Sequence, residues 1–387
     1  MRSTPVIRLA ILCSLLIGGT RTLRSAHAEA APWVLGYWVG YQADLMPVEQ
    51  ITWSALTHIA VGPMVPRGNG TIDISMFIDP DTATNYLRQI ASEAIAHGVT
   101  PILMIGGGGV DKPFFKAASK RTGKFVKNLQ SLAQDLGYRG FDLDFEGDFN
   151  KPANQQMFRR LVGALRKANP DAVLTFPAIP VTTTMPEVKA MRFYAQIARQ
   201  LDRVFLQTYE MPGPYPGWVS WHSSPLHSED SADECASRAC KPTSIAFNVD
   251  RFLQAGIPAA TLGLGVGFYG TCWTGVTGPG QSVTGATVAA SDNDMSYTNI
   301  VALYQPLMSA QYDGSADSAY LSSPTPQGPK GCNFVSYETT ESITAKGAYA
   351  RTKGLGGTIV WTINQAHGAI DHTHPDGLLE ETFAAFR

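Results

Sequence analysis

Charge is scarce in this chain, and positive charge is nowhere concentrated. Of its 387 residues 16% are charged, with 30 Lys and Arg against 32 Asp and Glu and a formal net charge of −2. A protein that holds nucleic acid or an anionic membrane needs a density of positive charge that this balance does not supply. The densest basic stretch, 112–127, is interleaved with Phe114, Phe115, Phe125 and Val126, and it reads as a solvated helix face beside a buried one. Long apolar runs are also lacking. The run at 9–17 is well short of the roughly 20 residues of a spanning helix. It follows Arg2 and Arg8 and precedes Ala26-His27-Ala28, the pattern of a secretory leader. Residues 1–28 are therefore expected to be a signal peptide and 29–387 a secreted or periplasmic protein, its formal charge lowered to −6 by loss of four arginines.

Cysteine is rare too. Beyond Cys13 the chain has Cys235, Cys240, Cys272 and Cys332, without the spacing of a zinc site. An even number in an exported protein suggests two disulfides. Three pairings are open, and Cys235 with Cys240 and Cys272 with Cys332 is preferred. Gly265 to Gly270 match G-x-G-x-x-G but lead into Cys272 and Trp273 and not into a helix, which argues against a dinucleotide loop. Gly106 to Gly109 precede no Gly-Lys-Ser/Thr. His367, His372 and His374 read as surface loop residues, and Asn69-Gly70-Thr71 is a glycosylation sequon.

What the chain has is apolar substance, 44% of residues, with 37 glycines and 25 prolines, a balance suited to one large ordered domain. Eight short apolar runs alternate with amphipathic stretches, at 34–38, 56–61, 101–105, 141–146, 172–177, 203–209, 261–267 and 357–361. Between them, Phe158, Leu161, Val162 and Leu165 form one helical face, as do Leu87, Ile90, Ala91 and Ala94 before Gly98. Eight strand–helix units predict a (β/α)8 barrel. Two connections are too long to be plain loops: 211–243 after the sixth strand, and a small insertion at about 271–333 between the seventh strand and its helix. Both follow the C-terminal ends of strands, where barrels place their chemistry.

The informative stretch is Gly140-Phe141-Asp142-Leu143-Asp144-Phe145-Glu146. Alternation along a strand puts the three acids on one face and the three apolar residues on the other. The acids then point into the barrel, about 6.6 Å apart along the strand. Carboxylates buried together without a cation must keep a proton among them, which is what a general acid requires.

Asp142-x-Asp144-x-Glu146 closing a fourth barrel strand resembles the signature of glycoside hydrolase family 18, the chitinases and endo-β-N-acetylglucosaminidases. Gly106-Gly107, Gln207-Thr208-Tyr209, and Ser336-Tyr337 through Leu355-Gly356-Gly357 to Trp361 extend the resemblance over nearly the whole chain. It implies that Glu146 protonates the glycosidic oxygen and that Asp144 orients the substrate's acetamido group. Asp142 would help place the shared proton, and Tyr209 would hydrogen-bond the acetamido group as it attacks the anomeric carbon. That is the substrate-assisted exception to the two-carboxylate scheme. Trp361 matches a tryptophan beneath the distorted sugar. Arg139, Met104 and Glu210 stand where the family usually has Asp, Ser, and Asp or Asn, and Phe145 replaces a commoner Trp.

Aromatic residues at or after strand ends, Tyr37, Trp38, Trp218, Trp221, Tyr269 and Trp273, are candidates to stack on sugars, and Gln207 and Glu210 are further candidates to bind substrate. The implied activity is hydrolysis of β-1,4 bonds between N-acetylglucosamine units of chitin, with internal cleavage favoured. No metal or organic cofactor is expected. The expected partner is chitin or its oligosaccharides, with no nucleic acid or membrane, and the protein is expected to be a monomer. The alternatives are an endo-β-N-acetylglucosaminidase acting on N-glycans and a non-catalytic chitin-binding lectin. Such lectins typically lose the acid, which this chain keeps in Glu146.

Overall fold

Eight parallel strands close on themselves in this computed structural model, which describes residues 31–181, 190–228, 243–369 and 376–387. In chain order the strands are β1 (Trp33–Val39), β2 (His58–Pro66), the short β3 (Ile72–Asp73), β4 (Thr100–Gly106), β5 (Gly140–Asp144), β6 (Val173–Ala178), β7 (Arg203–Leu206) and β8 (Leu262–Gly267). Next come β9 (Thr271–Thr274), β10 (Thr287–Ala290), β11 (Ser309–Asp313), β12 (Ser318–Gln327), β13 (Cys332–Tyr337) and β14 (Gly357–Trp361). The barrel runs β1-β14-β8-β7-β6-β5-β4-β2 and is closed by β1 pairing with β2. The (β/α)8 architecture expected from the alternating runs is the one observed.

Helices form where the apolar stripes lie. In α1 (Pro80–Ala96) Leu87, Ile90, Ala91 and Ala94 are buried. The Asp79 side chain caps its start by accepting from the Asp81 and Thr82 amides, the usual means of satisfying orphan N–H groups. The basic stretch at 112–127 falls into two helices, α2 (Asp111–Lys120) and α3 (Thr122–Leu136), with Phe114, Phe125 and Val126 buried and the lysines outside. In α4 (Pro152–Ala168) Phe158, Leu161, Val162 and Leu165 are buried.

Of the three apolar clusters two belong to the barrel. The larger lies between barrel and helices and holds Phe141, Leu143 and Phe145. The smaller fills the barrel with Leu35, Tyr37, Ala60, Ile102, Met104, Phe205 and Ile359. The insertion after β8 is a five-stranded antiparallel sheet in the order β10-β9-β13-β12-β11. The Cys272–Cys332 disulfide ties its β9 to its β13. Cys235, Cys240, His372 and His374 lie outside the described residues. None of the described helices is long and apolar enough to cross a membrane.

Candidate active site

β5 carries the acids, and its neighbours set their surroundings. Asp142 pairs with Met104 on β4 and with Thr175 on β6. Its carboxylate is fully buried, accepting from the Tyr37 hydroxyl at 2.8 Å and from the Thr175 hydroxyl. Burial pushes its pKa up to about 6, against the opposing effect of those two hydrogen bonds. Met104 fills space beside Gly62 and Gly107, and Thr175 supplies a hydroxyl for Asp142.

Asp144, at the strand's last position, is 3% exposed. Its pKa is raised well above the ordinary carboxylate range, first by burial and then by the charges of Glu146, Asp142 and Asp111. Gln207 Nε2 donates to its Oδ1 at 3.4 Å. The glycines at the end of β4 make this close arrangement possible. Gly106 has φ +113°, and a Cβ there would lie 2.0 Å from the Asp144 carbonyl oxygen. The amide of Gly107 instead donates to that oxygen at 2.9 Å.

The strand ends at Asp144, so Glu146 stands just beyond it and not on its last inward position. Its half-buried side chain borders the cleft. Burial raises its pKa, the Asp111 charge raises it further, and a hydrogen bond from Gln207 opposes them. Phe145 points outward as expected and packs on Phe114, with ring centres 5.2 Å apart. Tyr209 follows β7 and is half-buried. Gly265 leaves it room, since a Cβ there would come within 2.7 Å of the Tyr209 ring.

These groups open into a cleft of about 970 Å³ at the C-terminal end of the barrel, floored by Trp361. The Trp361 indole N–H donates to Asp292 Oδ1 at 3.3 Å, and Gln365 Nε2 donates to the same oxygen at 2.7 Å. Burial raises the Asp292 pKa, and both hydrogen bonds oppose the rise. Glu210, with φ +50°, accepts from Ser291 Oγ at 2.5 Å and from the Tyr269 hydroxyl at 3.2 Å. Among the described residues that line the cleft there is no Lys, Arg or His. No group of three or more His, Cys, Asp or Glu among them is arranged to hold a metal ion.

The cleft thus brings together Asp144, Glu146, Gln207, Tyr209, Glu210, Trp218, Tyr269 and Trp361. It does not include every aromatic expected there. Tyr37 is buried beneath it, inside the barrel, because its hydroxyl is engaged by Asp142. Trp221 is 3% exposed and off the cleft wall. Trp38 lies on the outer side of β1 against Tyr86 of α1, and Trp273 sits in the core of the inserted sheet. Asp292, Thr175, Tyr41, Phe77 and Tyr215 were not foreseen as site residues. Phe77 and Tyr215, at 64% and 57% exposure, edge the cleft beside Tyr41 and Trp218 respectively.

The chain belongs to the glycosyl hydrolases family 18, whose model matches residues 34–366. It is 24% identical over 357 residues to chitinase A1 of Niallia circulans, which covers 81% of this chain and 49% of that protein. It is 25% identical over 382 residues to a class V chitinase of Arabidopsis thaliana, covering 94% and 92%. The chain therefore spans about half the length of the first of these relatives and nearly all of the second. Among solved structures, the group IV chitinase of Ostrinia furnacalis shares the fold with a TM-score of 0.75 at 20% identity, covering 92% of this chain and 99% of that one. A class V chitinase of Nicotiana tobaccum in complex with NAG4 has a TM-score of 0.70 at 20% identity, with the same coverage.

Proposed function

We propose that this protein is a secreted chitinase that cleaves internal β-1,4 bonds between N-acetylglucosamine units, with retention of configuration and assistance from the substrate's own acetamido group. The observation that carries the reading is the acid series of buried Asp142 and Asp144 and half-buried Glu146, which opens beside Tyr209 into a cleft floored by Trp361 and without Lys, Arg or His among the described residues that line it. Burial and mutual repulsion keep protons in that series, so Glu146 can enter the reaction as an acid.

In the proposed reaction Glu146 gives its proton to the glycosidic oxygen as the bond to the anomeric carbon breaks. The acetamido oxygen attacks that carbon, held by Asp144 and the Tyr209 hydroxyl, and forms a cyclic oxazolinium ion. Water, deprotonated by Glu146, then opens the ring. The cleft's other carboxylates, Glu210 and Asp292, are each engaged by two hydrogen bonds from the protein. They serve the sugar's surroundings in this reading and not the anomeric carbon.

Secretion rests on the leader-like segment 1–28 and is supported by the Cys272–Cys332 bond, since disulfides persist in oxidising compartments. The test of function is incubation with chitin oligomers and, separately, with a high-mannose glycoprotein. Shortening of the oligomers is expected. Release of N-glycans with intact oligomers would replace this reading with the endo-β-N-acetylglucosaminidase one, and binding without turnover would leave a lectin.

A further inference from the structure

One carboxylate next to the acid has no place in the reaction just described. Asp111 opens α2 one residue after the glycine run 106–109, whose Gly107 amide is bonded to the last residue of β5. That loop runs close to the acid: a Cβ at Gly108 would lie 3.4 Å from Glu146 Oε2. Asp111 and Phe114 share a helix face at i and i+3, and Phe114 is packed on Phe145, the residue before the acid. The helix start is thereby fixed against Phe145-Glu146. Burial raises the Asp111 pKa, and the nearby Glu146 backbone opposes the rise. The Asp111 Oδ1 is buried and has no hydrogen-bond partner among the described residues. An orphaned buried carboxylate oxygen is costly, and an acid in the first turn of a helix needs no such burial to gain from the helix dipole.

We propose that Asp111 is a positioning residue for the acid: from the start of α2, which Phe114 packs onto Phe145, it steadies the Glu146 segment and presents its carboxylate charge to the Glu146 side chain. The groups facing Glu146 support this assignment. Asp144 faces it from β5, and Gln207 and Tyr209 face it from the end of β7. Asp111 is the group from α2, and no Lys, Arg or His is on the cleft wall among the described residues. The Asp111 charge therefore acts on Glu146 without a counter-charge from that wall. Its direction is to raise the Glu146 pKa.

The inference rests on Glu146 being the acid of the proposed reaction, so it is tested in two ways, one of which needs no turnover. In Asp111→Asn the size and shape of the side chain are kept, but the charge is gone. The alkaline limb of kcat/KM on chitin oligomers is expected to move to lower pH by about half a unit or more, a roughly threefold or greater loss on that limb. The thermal midpoint should change little, and Asp111→Glu should return the limb toward wild type. The second measurement is a carbon-13 NMR titration of the Glu146 carboxyl, assigned by its loss in Glu146→Gln. It should show the same downward shift in Asp111→Asn whether or not chitin is the substrate. An unmoved Glu146 titration, or equal loss of rate at every pH, would overturn the proposal and leave Asp111 a structural residue. A shifted titration in a protein that does not cleave chitin would uphold it while refuting the proposed function.

Discussion

The Tyr37 hydroxyl donates to Asp142 Oδ2 at 2.8 Å inside the barrel, where neither residue is more than 1% exposed. Tyr37 lies on β1 and Asp142 on β5, so the bond crosses the barrel interior and fixes the first acid of the series. Removing it orphans a buried acceptor, which costs about 1–3 kcal/mol. Tyr37→Phe and Thr175→Val are each expected to lower stability by that amount in urea unfolding and to reduce turnover. Thr175→Ser, which keeps the hydroxyl, should retain most of both. Wild-type stability in Thr175→Val would show that Tyr37 alone suffices.

Asp142 also gives the fold a pH dependence whose sign is opposite to the common salt-bridged carboxylate. Its pKa is about 6 in the fold, against about 4 in an unfolded chain. Below pH 4 both states hold the proton. Between 4 and 6 the unfolded chain releases it first, so stability declines as pH rises and levels off above the folded value. The difference corresponds to roughly 3 kcal/mol. Asp144, raised in the same direction, adds to the decline. Urea unfolding of Asp142→Asn should show a distinctly shallower slope between pH 4 and 6 than wild type, and an unchanged slope would reject this assignment.

Glu146→Gln should fold and bind chitin oligomers as wild type does but lose nearly all turnover, because the amide has no proton to give. Calorimetric titration with oligomers and a hydrolysis assay separate the two effects. Near-native hydrolysis would remove Glu146 from the role of acid.

Asp292 is expected to act on binding. It holds the indole N–H of Trp361 and the amide of Gln365 with one oxygen, so Asp292→Ala frees the floor of the cleft and leaves two donors unpaired. A loss of about 1–3 kcal/mol in oligomer affinity is expected, roughly five- to 150-fold, with Asp292→Asn retaining part of it. Unchanged affinity in the alanine variant would mean that Trp361 is held by packing alone.

The parts legible in sequence were those encoded locally. Strand alternation put Asp142 and Asp144 inside and Phe141, Leu143 and Phe145 outside, and helical stripes placed Leu87 and Phe158 in the core. Glu146 and Tyr209 were found as residues, although each lies just past its strand. What could not be read depends on distant segments meeting. Asp292 belongs to the insertion, 69 residues before the Trp361 it holds, and no pattern links them. Thr175 is an unremarked strand residue until register sets it beside Asp142. Asp111 leads a lysine-bearing helix that reads as a solvated face. Tyr37, Trp38 and Trp221 read alike as strand-end aromatics, and only packing separates a residue under the cleft from one outside the barrel.

The reaction's stereochemistry offers the sharpest division between mechanisms. A retaining glycosidase with its own nucleophile needs a second carboxylate about 5 Å from the acid, across the sugar. Here the buried acids lie along β5 and its end, while Glu210 and Asp292 are engaged by hydrogen bonds from the protein. If the acetamido oxygen attacks instead, the first product is the β-anomer, and the sugar before the scissile bond must carry its N-acetyl group. NMR of early products from chitin oligomers should therefore show β-anomer in excess. From partially deacetylated chitosan, every new reducing end should be N-acetylated. Asp144→Asn and Tyr209→Phe, which remove support for charge that develops as the acetamido group attacks, should lose on the order of tenfold to a thousandfold in turnover. Glucosamine at new reducing ends, or an initial excess of α-anomer, would refute substrate assistance even in a protein that hydrolyses chitin.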